Sequence, residues 1–75
     1  MTYYVELDIS HEASFEDVMQ FAQEHMCEAE LIEEFGPAGG NPLYKFKSSS
    51  YDCILELAMQ ILEDEEFASQ QIGIV

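Results

Sequence analysis

The segment EAELIEEFGPAGGNPLYKFK, residues 28–47, decides the fold. Two short runs with apolar alternation flank one Gly/Pro-rich loop, and no helical pattern lies between them. Residues 43–47 alternate cleanly, with Tyr44 and Phe46 on one side and Lys45 and Lys47 on the other. Residues 28–35 alternate less cleanly. Ala29, Leu31 and Phe35 share a face that Glu33 also shares, which requires a bulge or an edge position. The cluster at 36–42 reads as a loop within one domain, so the two runs should form an antiparallel hairpin.

Working outward, residues 3–9 form a strand with Tyr3, Val5, Leu7 and Ile9 on its buried side. Ser14 caps a helix, and Asp17 three positions on completes a capping-box pattern. Phe15, Val18, Met19, Ala22 and Met26 give that helix one apolar stripe. After the hairpin, Ser49 or Ser50 caps a second helix whose stripe is Ile54, Leu55, Ala58, Ile61 and Leu62. Residues 72–75 make a short last strand with Ile72 and Ile74 inward. The order is β-α-β-β-α-β, so the expectation is an α+β, single-domain (residues 1–75) ferredoxin-like sandwich. Two helices cover one face of a four-stranded antiparallel sheet. Its core should hold Val5, Leu7, Phe15, Val18, Met19, Ala22, Leu31, Phe46, Ile54, Leu55, Ala58 and Ile61. A chain of 75 residues has room for one such core, burying about 60% of its unfolded surface.

The charge balance bears on function. Sixteen Asp and Glu face two Lys and no Arg, for a formal charge of −14. Direct binding of DNA or RNA is excluded, because phosphates need Lys and Arg. Docking on anionic membranes is disfavoured for the same reason. No apolar run approaches the roughly 18 residues of a membrane span. Residues 1–9 carry Glu6 and Asp8 and no positive segment, unlike a signal peptide. The expected location is the cytoplasm, where Cys27 and Cys53 stay reduced.

Sites of chemistry are sparse. His25 and Cys27, with Cys53 brought near by the fold, could supply three zinc ligands, but the spacing matches no zinc pattern. The plainer reading is a pair of structural thiols, with no metal and no cofactor. The glycines at 36–40 precede a strand rather than a helix, so they form no phosphate loop. No nucleophile–base pair is set by spacing. The expectation is therefore a protein that is not an enzyme.

The acids themselves are the candidate surface. Glu63, Asp64, Glu65 and Glu66 fall at the end of the second predicted helix, where negative charge opposes the helix dipole. A broken local rule suggests a functional surface. Asp52 and Glu56 continue it along that helix, and Glu16, Asp17 and Glu24 lie on the first. A charge of −14 exceeds the roughly 2–8 that solubility asks of a small domain. It equals the charge of roughly 24 Å of duplex DNA, on a body expected to be about 29 Å across.

In length, acidity and compact α+β order the chain resembles small acidic phage-encoded inhibitors of bacterial defence, including anti-CRISPR proteins and DNA mimics. The resemblance implies a stoichiometric inhibitor. Its partner would be a basic nucleic-acid-binding protein or complex, a CRISPR effector subunit for instance, in the host cell cytoplasm. Two other classes fit the composition. One is an acidic regulatory or antitoxin-like partner of a basic protein without DNA mimicry. The other is a small metal- or ligand-binding ferredoxin-like domain.

Overall fold

Alternation at the N-terminus becomes strand β1, Tyr3–Asp8, with Val5 and Leu7 buried and Glu6 and Asp8 in water. A computed structural model of the chain describes residues 1–35 and 40–75, so most of the glycine-rich loop expected at 36–42 lies outside the described residues. Helix α1 follows at Phe15–Glu24, then strands β2 (Glu28–Glu33) and β3 (Leu43–Ser48) and helix α2 (Tyr51–Leu62). A third helix, α3 (Glu65–Gln71), precedes the two-residue strand β4 (Gly73–Ile74). The strands form one antiparallel sheet in the order β2-β3-β1-β4.

Strand β3 is central, and its register explains the inward face. Phe46 lies opposite Val5 on one side and Ala29 on the other, while Tyr44 lies opposite Leu7 and Leu31. Val5, Leu7, Tyr44 and Phe46 pack with Val18 and Ala22 of α1, Ile54, Leu57 and Ala58 of α2, and Ala68 of α3. All three helices therefore share one core on one face of the sheet. Because β1 and β2 run one way and β3 and β4 the other, the crossing helices α1 and α2 run in opposite directions. The start of α1 and the end of α2 thus meet at the same end of the molecule.

The helix starts are built as their sequences require. The Ser14 side chain accepts from the Asp17 N–H at 3.1 Å, and the Ser14 N–H donates to the Asp17 carboxylate at 3.2 Å, a complete capping box. The Ser50 hydroxyl accepts from the Cys53 N–H at 3.3 Å to begin α2. The helix ends are less usual. After α1, Met26 takes a left-handed conformation (φ 57°), with Met26 N–H bonded to the Gln23 carbonyl and Cys27 N–H to that of Ala22. This is a Schellman end, normally closed by glycine. Helix α2 ends on Glu63, also left-handed (φ 58°).

Several sequence expectations are corrected here. Phe15 is 49% exposed rather than buried. It is the first helical residue, and Cα–Cβ bonds tilt toward a helix N-terminus, so its side chain overhangs the end of the layer. Leu31 is 38% exposed because β2 is an edge strand. The uneven alternation of β2 has both anticipated causes, the edge position and a bulge between Leu31 and Glu33. Met26 lies past the helix and is exposed, so it is no part of the α1 stripe. Leu57, absent from the predicted stripe, is fully buried. The last strand is two residues long, and Ile74 faces water. The expected β-α-β-β-α-β order carries the additional helix α3, which begins inside the acidic run at 63–66.

Candidate functional site

The nine acids singled out in the sequence are Glu16, Asp17, Glu24, Asp52, Glu56, Glu63, Asp64, Glu65 and Glu66, and all are exposed. They belong to the helical layer. Glu16, Asp17 and Glu24 lie on α1, Asp52 and Glu56 on α2, and the rest span the α2–α3 junction. The topology brings Glu16 and Asp17, at the start of α1, to the same end as residues 63–66, beyond the end of α2. Glu24 and Asp52 lie at the opposite end. The candidates therefore form two acidic ends of one layer, with Glu56 midway along α2, rather than a single cluster.

The premise behind the 63–66 run changes with α3. Asp64 is not at a helix C-terminus; it caps α3, its carboxylate accepting from the Phe67 N–H at 2.9 Å. Glu65 and Glu66 occupy the first turn of α3, where the dipole favours negative charge. Only Glu63 remains at an unfavourable position, as the left-handed residue closing α2. The run is thus a helix-start signal. The cue was present in the sequence, since Asp64 with two acids after it is an N-terminal pattern. Asp17 likewise has a structural task in its capping box.

The opposite face of the sheet treats charge differently. Lys45 sits between Glu6 of β1 and Glu30 of β2, and Lys47 sits between Tyr4 and Glu28. The Lys45 ammonium lies 4.6 Å from the centre of the Tyr4 ring. That ring also covers Gly73, where an added Cβ would stand 2.6 Å from ring atoms, so β4 needs glycine for this approach. This face is of mixed sign.

The residues weighed as metal ligands have other partners. The His25 ring packs tilted against the Phe21 ring, centroids 4.6 Å apart, and its Nδ1–H donates to the Phe21 carbonyl at 2.9 Å. Cys27 is buried and its thiol donates to the His25 carbonyl at 3.2 Å. Burial pushes the Cys27 thiol up from its ordinary value; the Ser48 hydroxyl opposes this, and nearby Cys53 adds to it. Among the described residues, no three or more His, Cys, Asp and Glu are arranged to hold a metal ion. No helix among them is long and apolar enough to cross a membrane.

The chain matches no protein-family model, and neither the curated proteins nor the solved structures give a match.

One feature escaped the sequence reading. Between α1 and α2 lies an open groove of about 330 Å³ lined by Ile9, Ala13, Val18, Phe21 and Ile61, with Asp17 and Gln60 at its margin. It sits where the start of α1 meets the end of α2. The signal was Phe21, a large apolar side chain that falls off the α1 stripe and is only half-buried.

Proposed function

We propose that this chain acts by binding, as a stoichiometric inhibitor that places its acidic helical layer in the nucleic-acid-binding site of a basic protein. The observation that supports this reading is the distribution of charge. Nine exposed acids lie on the helical layer, and both lysines of the chain lie on the far side of the sheet. The described residues span 31 × 23 × 22 Å and belong to a chain of charge −14. Duplex DNA of that length carries about 18 charges. The field is therefore of the same sign and order as that of nucleic acid over a similar length.

The specific form we propose is a phage anti-CRISPR protein acting on a CRISPR surveillance complex in the host cytoplasm. The fold reading that goes with it is ferredoxin-like. Sheet order β2-β3-β1-β4 with helices on one face supports that reading, with α3 as an addition before β4. Complementary charge would act mainly on association rate and partner choice, while a few desolvated carboxylates facing Arg or Lys would each cost about 2–5 kcal/mol when removed.

The test is displacement of a labelled duplex from purified surveillance complexes at several salt concentrations. Reversal should be made at Glu24, Glu56 and Glu63, which neither cap a helix N-terminus nor occupy a first turn. Wild type should displace the duplex, less so as salt rises, and the triple Lys variant should not. Equal displacement by both, or displacement by neither, would remove the mimicry reading and leave the acidic regulatory partner in its place.

A further inference from the structure

We infer that the groove between α1 and α2 is the seat for an apolar anchor side chain of the basic partner, presented by an amphipathic segment with Lys or Arg beside it. The inference rests on the proposed acidic binding surface and names what that surface grips. The groove walls are Ile9, Ala13, Val18, Phe21 and Ile61, and Ile9, Phe21 and Ile61 are only half-buried. At about 330 Å³ and open to water, the groove lies at the small end of ligand sites, fitting one or two large side chains rather than a cofactor.

Its surroundings choose the occupant. Asp17 lines the margin and Glu16 precedes it on the same helix turn. Glu63 and Asp64 follow Gln60, Ile61 and Leu62, the last residues of α2, and no Lys or Arg lies on either helix. An apolar side chain flanked by acids would be repelled from this end. One flanked by cations would meet charge complementarity around an apolar centre, the usual anatomy of a binding hot spot with a polar rim. Charge alone gives attraction without register, whereas an anchor in a groove supplies one.

Three synthetic amphipathic peptides of equal length serve as probes, one of Leu and Lys, one of Ser and Lys with the same charge, and one of Leu and Glu. Binding is followed by amide and methyl chemical shifts of the intact chain. The Leu/Lys peptide should bind at least tenfold more tightly than the Ser/Lys peptide, with saturable shifts at Ile9, Val18, Phe21 and Ile61. Ala13→Trp, which fills the groove from a loop position, should abolish the tenfold preference while weaker salt-sensitive binding persists. Ile61→Gln should do the same if Ala13→Trp fails to fold. Equal affinity for the Leu/Lys and Ser/Lys peptides overturns the groove inference and leaves the acidic surface standing. Equal affinity for the Leu/Lys and Leu/Glu peptides overturns both, because charge would then play no part. Failure of all three to bind also overturns the groove inference. Concentration-dependent shifts of the groove residues in the protein alone would assign the groove to a second copy, and the inference would fail.

Discussion

The two faces of this small protein carry their acids in different ways. On the open sheet face, cations stand between anions across the strands, with Lys45 between Glu6 and Glu30, and Lys47 beside Glu28. On the helical layer no cation is present, and the backbone takes the cation's place. Of its nine acids, six cap a helix start or occupy a first turn, namely Glu16, Asp17, Asp52, Asp64, Glu65 and Glu66. There the exposed N–H groups and the positive end of the dipole stabilise them. Only Glu24, Glu56 and Glu63 have neither a cation nor a helix start. The local stability of an acid and the field it projects are therefore separate matters. Six positions are explained by folding alone, yet all nine still contribute negative potential to one side of the molecule.

Exchanging the signs on each face should produce the largest effect. Lys45→Glu with Lys47→Glu removes three cross-strand pairs to Glu6, Glu28 and Glu30 and the contact with Tyr4. Each such pair is worth roughly 0.2–1 kcal/mol and reverses sign with the charge. The double variant should lose about 1–3 kcal/mol in urea unfolding at fixed ionic strength. On the other face Glu24→Lys, in the last turn of α1, should gain about 0.3–1 kcal/mol. If both changes leave stability unmoved, the faces do not differ in the way described.

A second pair of substitutions tests whether the helix backbone compensates the acids. Asp64→Ala deletes the cap of α3 and should cost about 0.5–2 kcal/mol. Its neighbour Glu63 holds a left-handed conformation that glycine adopts freely, so Glu63→Gly should stabilise by about 0.5–1 kcal/mol. Opposite signs at adjacent acids, measured by urea unfolding, are the expected result. A loss at both positions would mean that Glu63 makes a contribution beyond closing α2.

The same contrast shows what the sequence disclosed. Strand β1, β3 and both long helices were legible because a two-residue or 3.6-residue period is written in their apolar residues. The Ser14 capping box was legible because it is local. What failed was the meaning of residues 63–66. With Leu62 ending one apolar stripe and Ile72 opening the last strand, Asp64 and its two following acids marked a helix start, but only Phe67 and Ala68 supplied apolar residues to it. A seven-residue helix offers less than two turns of period to detect. Leu57 was missed because the α2 apolar face is broad, running from Ile54 through Ala58, rather than one narrow stripe. Phe15 was misplaced because periodicity gives an angle around a helix and says nothing of where the packed layer stops. The charge of the candidate surface was read in full, but its division into two ends and the groove between α1 and α2 depend on helix direction and spacing, which pattern does not carry.

The smallest expected effect lies between the two faces and asks whether the helical charge reaches the core. Burial raises the Cys27 thiol from its ordinary value of 9.0. Tyr44 is raised from 10.0 by burial and secondarily by the Glu16 carboxylate. Both groups are neutral when protonated, and both keep their protons longer in the folded chain than in the unfolded one. Their contribution is whole below the unfolded values and is lost as pH rises through the higher folded values, because the unfolded chain ionises first. Stability should thus decline from about pH 9 upward. Cys27→Ala should flatten the first part of that decline. Glu16→Gln should bring the Tyr44 titration, followed by its ring chemical shifts, down toward 10.0, while Glu6→Gln on the sheet face should leave it unchanged. A Tyr44 titration indifferent to Glu16 would confine the influence of the helical acids to the surface, where only a partner would feel them.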